Sequence, residues 1–299
     1  MGAHRSLAGM QLVPSTDGVN VAVHDLGGPT DASAPALLLV HANGFHARVF
    51  APMVAAGLAD HFRCVGLDVR GHGDSEVPDG LEYQWLGFGN DVAAVVATLP
   101  ADVPRYGFGH SLGGAALLMA ELAAPGSFDA LYLYEPITPP GDAASMAGVD
   151  YSLDHAGPNP MADAAVRRRE VFDSWDAAIA NFSAKPPLNV FTSEAMQAYV
   201  TSGFARQPDG TVRIKCRGAT EAAIYRSAGA HHVYDRLGEV TVPVTVAVGR
   251  AVDFGPSAFA SQVAERLPDG RLVRFDTLGH FGPMQAPDAL AAAIGAAFG

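Results

Sequence analysis

Between an apolar segment at residues 103–108 and an Ala/Leu-rich one at 112–124, the chain reads Gly107-Phe108-Gly109-His110-Ser111-Leu112-Gly113-Gly114. The first segment has the character of a strand and the second that of a helix, so Ser111 stands at the apex of a sharp strand-to-helix turn. Glycine at 109 and 113 has a steric reason: the serine sits in a strained conformation, and a side chain two positions to either side collides across the turn. The hydroxyl is therefore expected at a sheet edge, at a helix N-terminus. The backbone N–H of Leu112 is then aimed at the point where a carbonyl oxygen gains negative charge. Glycine is common here, 33 of 299 residues, so the pattern needs context. A dinucleotide-binding turn also uses glycines after a strand, but its third glycine position is occupied by Leu112.

The context is an alternation of β-type and α-type segments. Strands are expected at residues 19–23, 36–40, 64–69, 105–108, 130–134, 242–248 and 271–275, and helices at 49–58, 88–99, 112–124, 257–267 and 289–298. Continuous apolar runs such as Ala36-Leu37-Leu38-Leu39-Val40 suit strands covered by helices on both faces, which points to an α/β fold with a mostly parallel sheet. From 139 to 238 the alternation stops, and amphipathic pieces near 175–182 and 193–204 suggest a largely helical cap inserted into a core made of 1–138 and 239–299.

Hydrophobic residues at 49% and charged residues at 17% suit one large globular domain with an insertion. A net charge of −12 argues against nucleic-acid or anionic-membrane partners, which need a basic surface. Cys64 and Cys216 form no disulfide framework and no metal-ligand spacing, consistent with a reducing cytoplasm. No signal peptide or membrane span is apparent. Met1-Gly2-Ala3-His4-Arg5-Ser6 matches a myristoylation pattern so short that chance accounts for it.

A serine hydroxyl is a poor nucleophile unless an imidazole takes its proton, and the imidazole needs a carboxylate to fix its tautomer. His280, in Leu278-Gly279-His280-Phe281 after the last expected strand, is placed at the sheet edge that carries Ser111. His110 is expected to pack beneath the turn, and His231 and His232 to be structural. His41, Asp68, His72 and Asp74 fall in glycine-containing turns and read as loop hydrogen bonding; no metal and no cofactor is expected. The second oxyanion donor is assigned to Asn43 in His41-Ala42-Asn43-Gly44-Phe45, through its backbone N–H and optionally its side-chain amide. The cluster Arg167-Arg168-Arg169 reads as a solvated helix face. Arg213, Lys215 and Arg217 alternate with Ile214 and Cys216 as a short ribbon with a basic face, which leaves open recognition of an acidic substrate there.

The succession His41-Ala42-Asn43-Gly44, Asp68-Val69-Arg70-Gly71-His72-Gly73-Asp74-Ser75, Gly109-His110-Ser111-Leu112-Gly113, Tyr134-Glu135-Pro136 and Gly279-His280 resembles the α/β-hydrolase superfamily over nearly all of the chain outside the cap. It departs at Ala42, where the family usually has glycine. The resemblance implies an acid either after the strand that follows the nucleophile helix or after the next core strand beyond the cap. Glu135 occupies the first place. Asp253, in Gly249-Arg250-Ala251-Val252-Asp253, is near the second but one residue later than usual. Glu135 is favoured because it ends an apolar strand, where a carboxylate is costly to bury without a purpose, and Pro136 fixes the chain direction. Asp253 stays as the alternative. The Glu135 arrangement resembles haloalkane dehalogenases and zearalenone-type lactonases; the dehalogenases use an aspartate where Ser111 stands.

The expected function is a serine hydrolase of a carboxylic ester or lactone, acting on a small molecule. Carbon–carbon bond hydrolysis, cofactor-free perhydrolysis and a non-catalytic small-molecule receptor are the alternatives. Phe45, His110 and Phe281 of the core and Trp175, Phe182 and Phe191 of the cap are the expected substrate contacts. Oligomeric state is not legible.

Overall fold

A strand that is apolar at every position must bury both of its faces, and the sheet is arranged to allow this. The computed structural model describes residues 9–140, 145–146, 149–150, 159–228, 231–251 and 255–299. The chain opens with β1 (Met10–Pro14) and β2 (Asn20–Gly27), continues with β3 (Ala36–Val40), β4 (Arg63–Asp68), β5 (Arg105–His110) and β6 (Ala130–Tyr134), and closes with β12 (Val244–Val248) and β13 (Gly270–Arg274). These make one eight-stranded sheet in the order β1-β2-β4-β3-β5-β6-β12-β13. It is antiparallel through β1, β2 and β4 and parallel from β4 onward.

Side chains alternate between the two faces with period two. Leu38 and Val40 of β3 and Leu131 and Leu133 of β6 face one layer, with α2 (Trp85–Val96), α3 (Leu112–Ala123) and α9 (Pro256–Arg266). Leu37 and Leu39 of β3 and Tyr132 and Tyr134 of β6 face the other, with α1 (Ala51–Ala55), α10 (Gly282–Gln285) and α11 (Pro287–Phe298). Each of these leucines is fully buried, which stabilises the fold by about 1.5–3 kcal/mol per side chain.

The expected strands at 36–40 and 130–134 coincide with β3 and β6. Two differences have physical causes. β1 was not expected: it is a short edge strand ending in Pro14, of mixed exposure, with little periodic signal. The expected helix at 49–58 is broken into a 3-10 turn (Ala47–Phe50), the short α1 and a second 3-10 turn (Leu58–Asp60), where Gly57 takes φ 135°.

Between β6 and β12 the chain carries β7 (Ser145–Met146), β8 (Val149–Asp150), α4 (Pro160–Arg167), β9 (Val171–Phe172), α5 (Trp175–Ser183), α6 (Ser193–Gly203), β10 (Phe204–Arg206), β11 (Val212–Ile214), α7 (Gly218–Arg226) and α8 (Val233–Arg236). The segment is largely helical as expected. It also contains a small antiparallel sheet, β10-β11-β9, whose strands of two or three residues are too short to leave a pattern. α4 packs on α7 and α5 on α6, and α6 rests on α1 and on the turn Ala47–Phe50 just after β3. This segment thus packs on the connection that follows β3. None of the described helices is long and apolar enough to cross a membrane.

Candidate active site

Ser111 lies between β5 and α3 with φ 57° and ψ −114°. A non-glycine residue held there costs about 1–3 kcal/mol, so its surroundings must over-determine it. They do so through the main chain: Ser111 N–H donates to the Tyr134 carbonyl at 3.0 Å, and the Ser111 carbonyl accepts from the N–H groups of Gly114, Ala115 and Ile137 at 3.1, 3.3 and 3.1 Å. A Cβ on Gly109 would stand 2.6 Å from the Gly114 Cα, which is the collision across the turn that the sequence implies. Gly113 is needed for another reason. A Cβ there would fall 2.1 Å from the Val40 carbonyl oxygen, so this glycine lets the start of α3 close onto the end of β3.

Glu135, directly after β6, is strained in the same sense, with φ 45°. Besides Ser111, the one other described non-glycine residue with positive φ is Asp17, so this strain concentrates where Ser111 and Glu135 stand. Glu135 is 2% exposed. Its Oε1 accepts from the Gly249 N–H at 2.9 Å, and its Oε2 lies 2.6 Å from His280 Nδ1. A carboxylate so placed requires the proton of the imidazole on Nδ1 and leaves the Nε2 lone pair free to accept a proton. Asp253, the alternative acid, lies outside the described residues.

Ser111, Leu112, Glu135 and His280 share the wall of one cavity of about 910 Å³ with Asn43, Gly44 and Phe45 of the loop after β3. No hydrogen bond joins the Ser111 hydroxyl to His280 among the described residues; without substrate, such bonds are commonly long and tighten as the reaction proceeds.

The loop after β3 is shaped by two neutral histidines. His41 Nδ1 donates to the Ala42 carbonyl at 2.8 Å while its Nε2 accepts from the Val69 N–H at 3.2 Å. His72 Nδ1 donates to the Arg70 carbonyl at 3.0 Å while its Nε2 accepts from the Gly44 N–H at 3.0 Å. Burial first of all brings His41 down to about 3 and His72 down to about 4, consistent with these tautomers. The Asn43 side chain donates to the Glu221 carbonyl of α7 at 3.0 Å. One of the two N–H donors of its amide is thus spent on α7. Neither the backbone N–H of Asn43 nor that of Leu112 donates to a partner among the described residues.

His24, Asp68 and Asp74 lie close enough together to suggest a metal site. Each already has a protein partner. Asp68 accepts from His24 Nε2 (2.7 Å), from the Ala47 N–H (2.7 Å) and from the Asp74 N–H (2.8 Å), while His24 Nδ1 accepts from Arg48 at 3.2 Å. Asp74 pairs with Lys215 at 2.7 Å.

Of the expected substrate contacts, Phe45, Phe182 and Phe281 line the cavity. Three others do not. His110 is fully buried behind the turn, Phe191 stands one layer back against Phe45 and Phe281 at 6.1 and 5.7 Å, and Trp175 packs, partly buried, against the apolar cluster that joins this segment to the core. The basic ribbon is also corrected, since Lys215 pairs with Asp74 and Arg217 with Glu170, and neither lines the cavity. Arg168, read as part of a solvated face, instead reaches the cavity wall and pairs with Glu221 at 2.6 Å. Tyr199 and Tyr225 join them there. No local motif marks these four; only the packing of α4 on α7 brings Arg168 and Glu221 together.

Residues 37–293 match the family model described as "Alpha/beta hydrolase family". "Probable oxidoreductase EphD" of Mycobacterium tuberculosis is 33% identical over 132 residues, 44% of this chain and 21% of that protein, so the match spans about a fifth of its length. Haloalkane dehalogenase 2 of Mycobacterium tuberculosis is 26% identical over 279 residues, covering 90% of each chain. The solved structure of E-2-(acetamidomethylene)succinate hydrolase is similar in fold, with a TM-score of 0.74 at 21% identity over 95% of this chain and 97% of that one. Taken with the eight-stranded sheet and the serine turn between β5 and α3, the match over most of the chain establishes that this protein belongs to the alpha/beta hydrolase family.

Proposed function

We propose that the protein is a serine hydrolase that cleaves a carboxylic ester or lactone through Ser111, His280 and Glu135. The observation that carries this reading is the 2.6 Å contact between His280 Nδ1 and Glu135 Oε2 beside the cavity shared with the strained Ser111. His280 Nε2 takes the hydroxyl proton as Ser111 Oγ attacks the acyl carbon, and Glu135 stabilises the imidazolium that results. The backbone N–H groups of Leu112 and Asn43 receive the oxyanion. Collapse of the tetrahedral intermediate passes the proton from His280 to the departing alkoxide, which for a lactone remains tethered as a ring-opened hydroxyl. Water, deprotonated by the same nitrogen, then releases the acid and regenerates Ser111.

Residues 139–238 act as the cap over this cavity, on the core of 1–138 and 239–299. A space of about 910 Å³ lined largely by apolar side chains suits a substrate with a bulky apolar part. The scheme needs neither metal nor cofactor. Ser111 in place of an aspartate disfavours dehalogenation, and a carboxylate held on the base disfavours a purely receptor role, because binding alone has no use for a fixed tautomer. The free, buried Cys64 and Cys216 fit a cytoplasmic setting. The test is turnover of a panel of aryl esters, lactones and long-chain esters by the purified protein and by Ser111→Ala. The variant is expected to keep its circular dichroism and to lose kcat by a factor on the order of 10⁴ or more. Wild-type turnover in Ser111→Ala would overturn the proposal.

A further inference from the structure

The residues that immediately precede Ser111 and Glu135 have side chains that this scheme leaves unused. His110 ends β5 and Tyr134 ends β6; the two are register partners on neighbouring parallel strands, and both are fully buried. His110 Nε2 lies 2.8 Å from the carbonyl oxygen of His280, and the Tyr134 hydroxyl donates to the carbonyl of Gly279 at 2.7 Å. A carbonyl oxygen only accepts, so the His110 proton is on Nε2. Its Nδ1 has no partner among the described residues. Burial, reinforced by the neighbouring His280, holds His110 well below the ordinary histidine range, which keeps it a neutral donor. Gly282 and Gly249 leave the space that the Tyr134 hydroxyl occupies, since a Cβ on Gly282 would stand 2.2 Å from it and one on Gly249 2.9 Å. On its far side the loop is held by Gln285, whose Oε1 accepts from the Gly279 N–H at 3.0 Å.

We infer that His110 and Tyr134 are positioning residues for His280: donating to two successive carbonyls of its loop, they fix the imidazole relative to Ser111 and Glu135. The same two strand ends then present the nucleophile, present the acid and pin the base, so all three groups are referenced to one rigid pair of strands. Rigidity at this point matters because a misplacement of about 1 Å costs on the order of 10²-fold in rate. The inference rests on the reading of Ser111, His280 and Glu135 as catalytic.

The test uses Tyr134→Phe, which removes only the hydroxyl, His110→Leu, which removes the donor, and His110→Gln, whose side-chain N–H reaches about as far as Nε2. Three quantities are read: kcat and KM on an aryl ester, the acid limb of the kcat/KM pH profile, and the far-downfield proton resonance of His280 Nδ1 recorded without substrate. Tyr134→Phe and His110→Leu are expected to lose on the order of 10²-fold in kcat with KM little changed. Their acid limb and Nδ1 resonance should move, and His110→Gln should recover most of each. An unmoved resonance and acid limb in Tyr134→Phe, with activity lost only in proportion to folded protein, would overturn the inference, and that variant decides alone if His110→Leu fails to fold. Failure of the catalytic reading has a different signature, namely activity that survives in Ser111→Ala.

Discussion

Of the three described non-glycine residues held at positive φ, Ser111 and Glu135 belong to the proposed chemistry. Ser111 at φ 57° and Glu135 at φ 45° are fixed by main-chain hydrogen bonds, including those of Ser111 N–H to Tyr134 of β6 and of Glu135 N–H to Ala247 of β12 at 2.9 Å. Ser111 and His280 were legible because each sits in a short motif at an expected element boundary. Glu135 was legible as the carboxylate that ends an apolar strand. The tie from Asn43 to Glu221 was not, since 178 residues separate the partners and no local pattern links them. Glu135→Gln keeps the shape but loses the charge that orients His280, so kcat should fall by about 10²-fold to 10⁴-fold while the unfolding midpoint changes little. Gly113→Ala is expected to destabilise the protein by about 3 kcal/mol in a urea titration, because its methyl would meet the Val40 carbonyl.

At the scale of elements, the parallel strands were readable because both faces are apolar and their ends are punctuated by glycine and charge. The insertion was readable only as a change in texture. Its amphipathic pieces fix helices α5 and α6, yet which residues reach the cavity depends on how α4, α5, α6 and α7 pack on one another and on the core. That is why Trp175 and Phe191 were expected on the wall and are not there, whereas Arg168 and Glu221 are. Phe182→Ala should therefore change the relative rates on esters of different acyl size, and Trp175→Ala should leave that profile near wild type while altering stability. Equal effects of both variants on the profile would contradict this placement.

Over the whole molecule, one consequence of the core is sensitivity to acid. Burial first of all lowers His41 to about 3 and His46, His72 and His231 to about 4, from an ordinary value of 6.5. As pH falls below that ordinary value, the unfolded chain binds protons that the folded chain refuses, so stability is full near neutrality and is lost on the way down to about 4. Each of these histidines should remove on the order of 1 kcal/mol by about pH 5, seen as a falling urea midpoint at constant slope. A midpoint that stays flat over that window would contradict the neutral assignments.

The account stands on Ser111 as a nucleophile made reactive by His280 and Glu135. Intact mass measured after treatment with a fluorophosphonate, followed by peptide mapping, tests this most directly. A single adduct on Ser111 in the wild type, absent from Ser111→Ala and formed much more slowly in Glu135→Gln, is the predicted result. An unlabelled wild type, or an adduct that persists in Ser111→Ala, would contradict it.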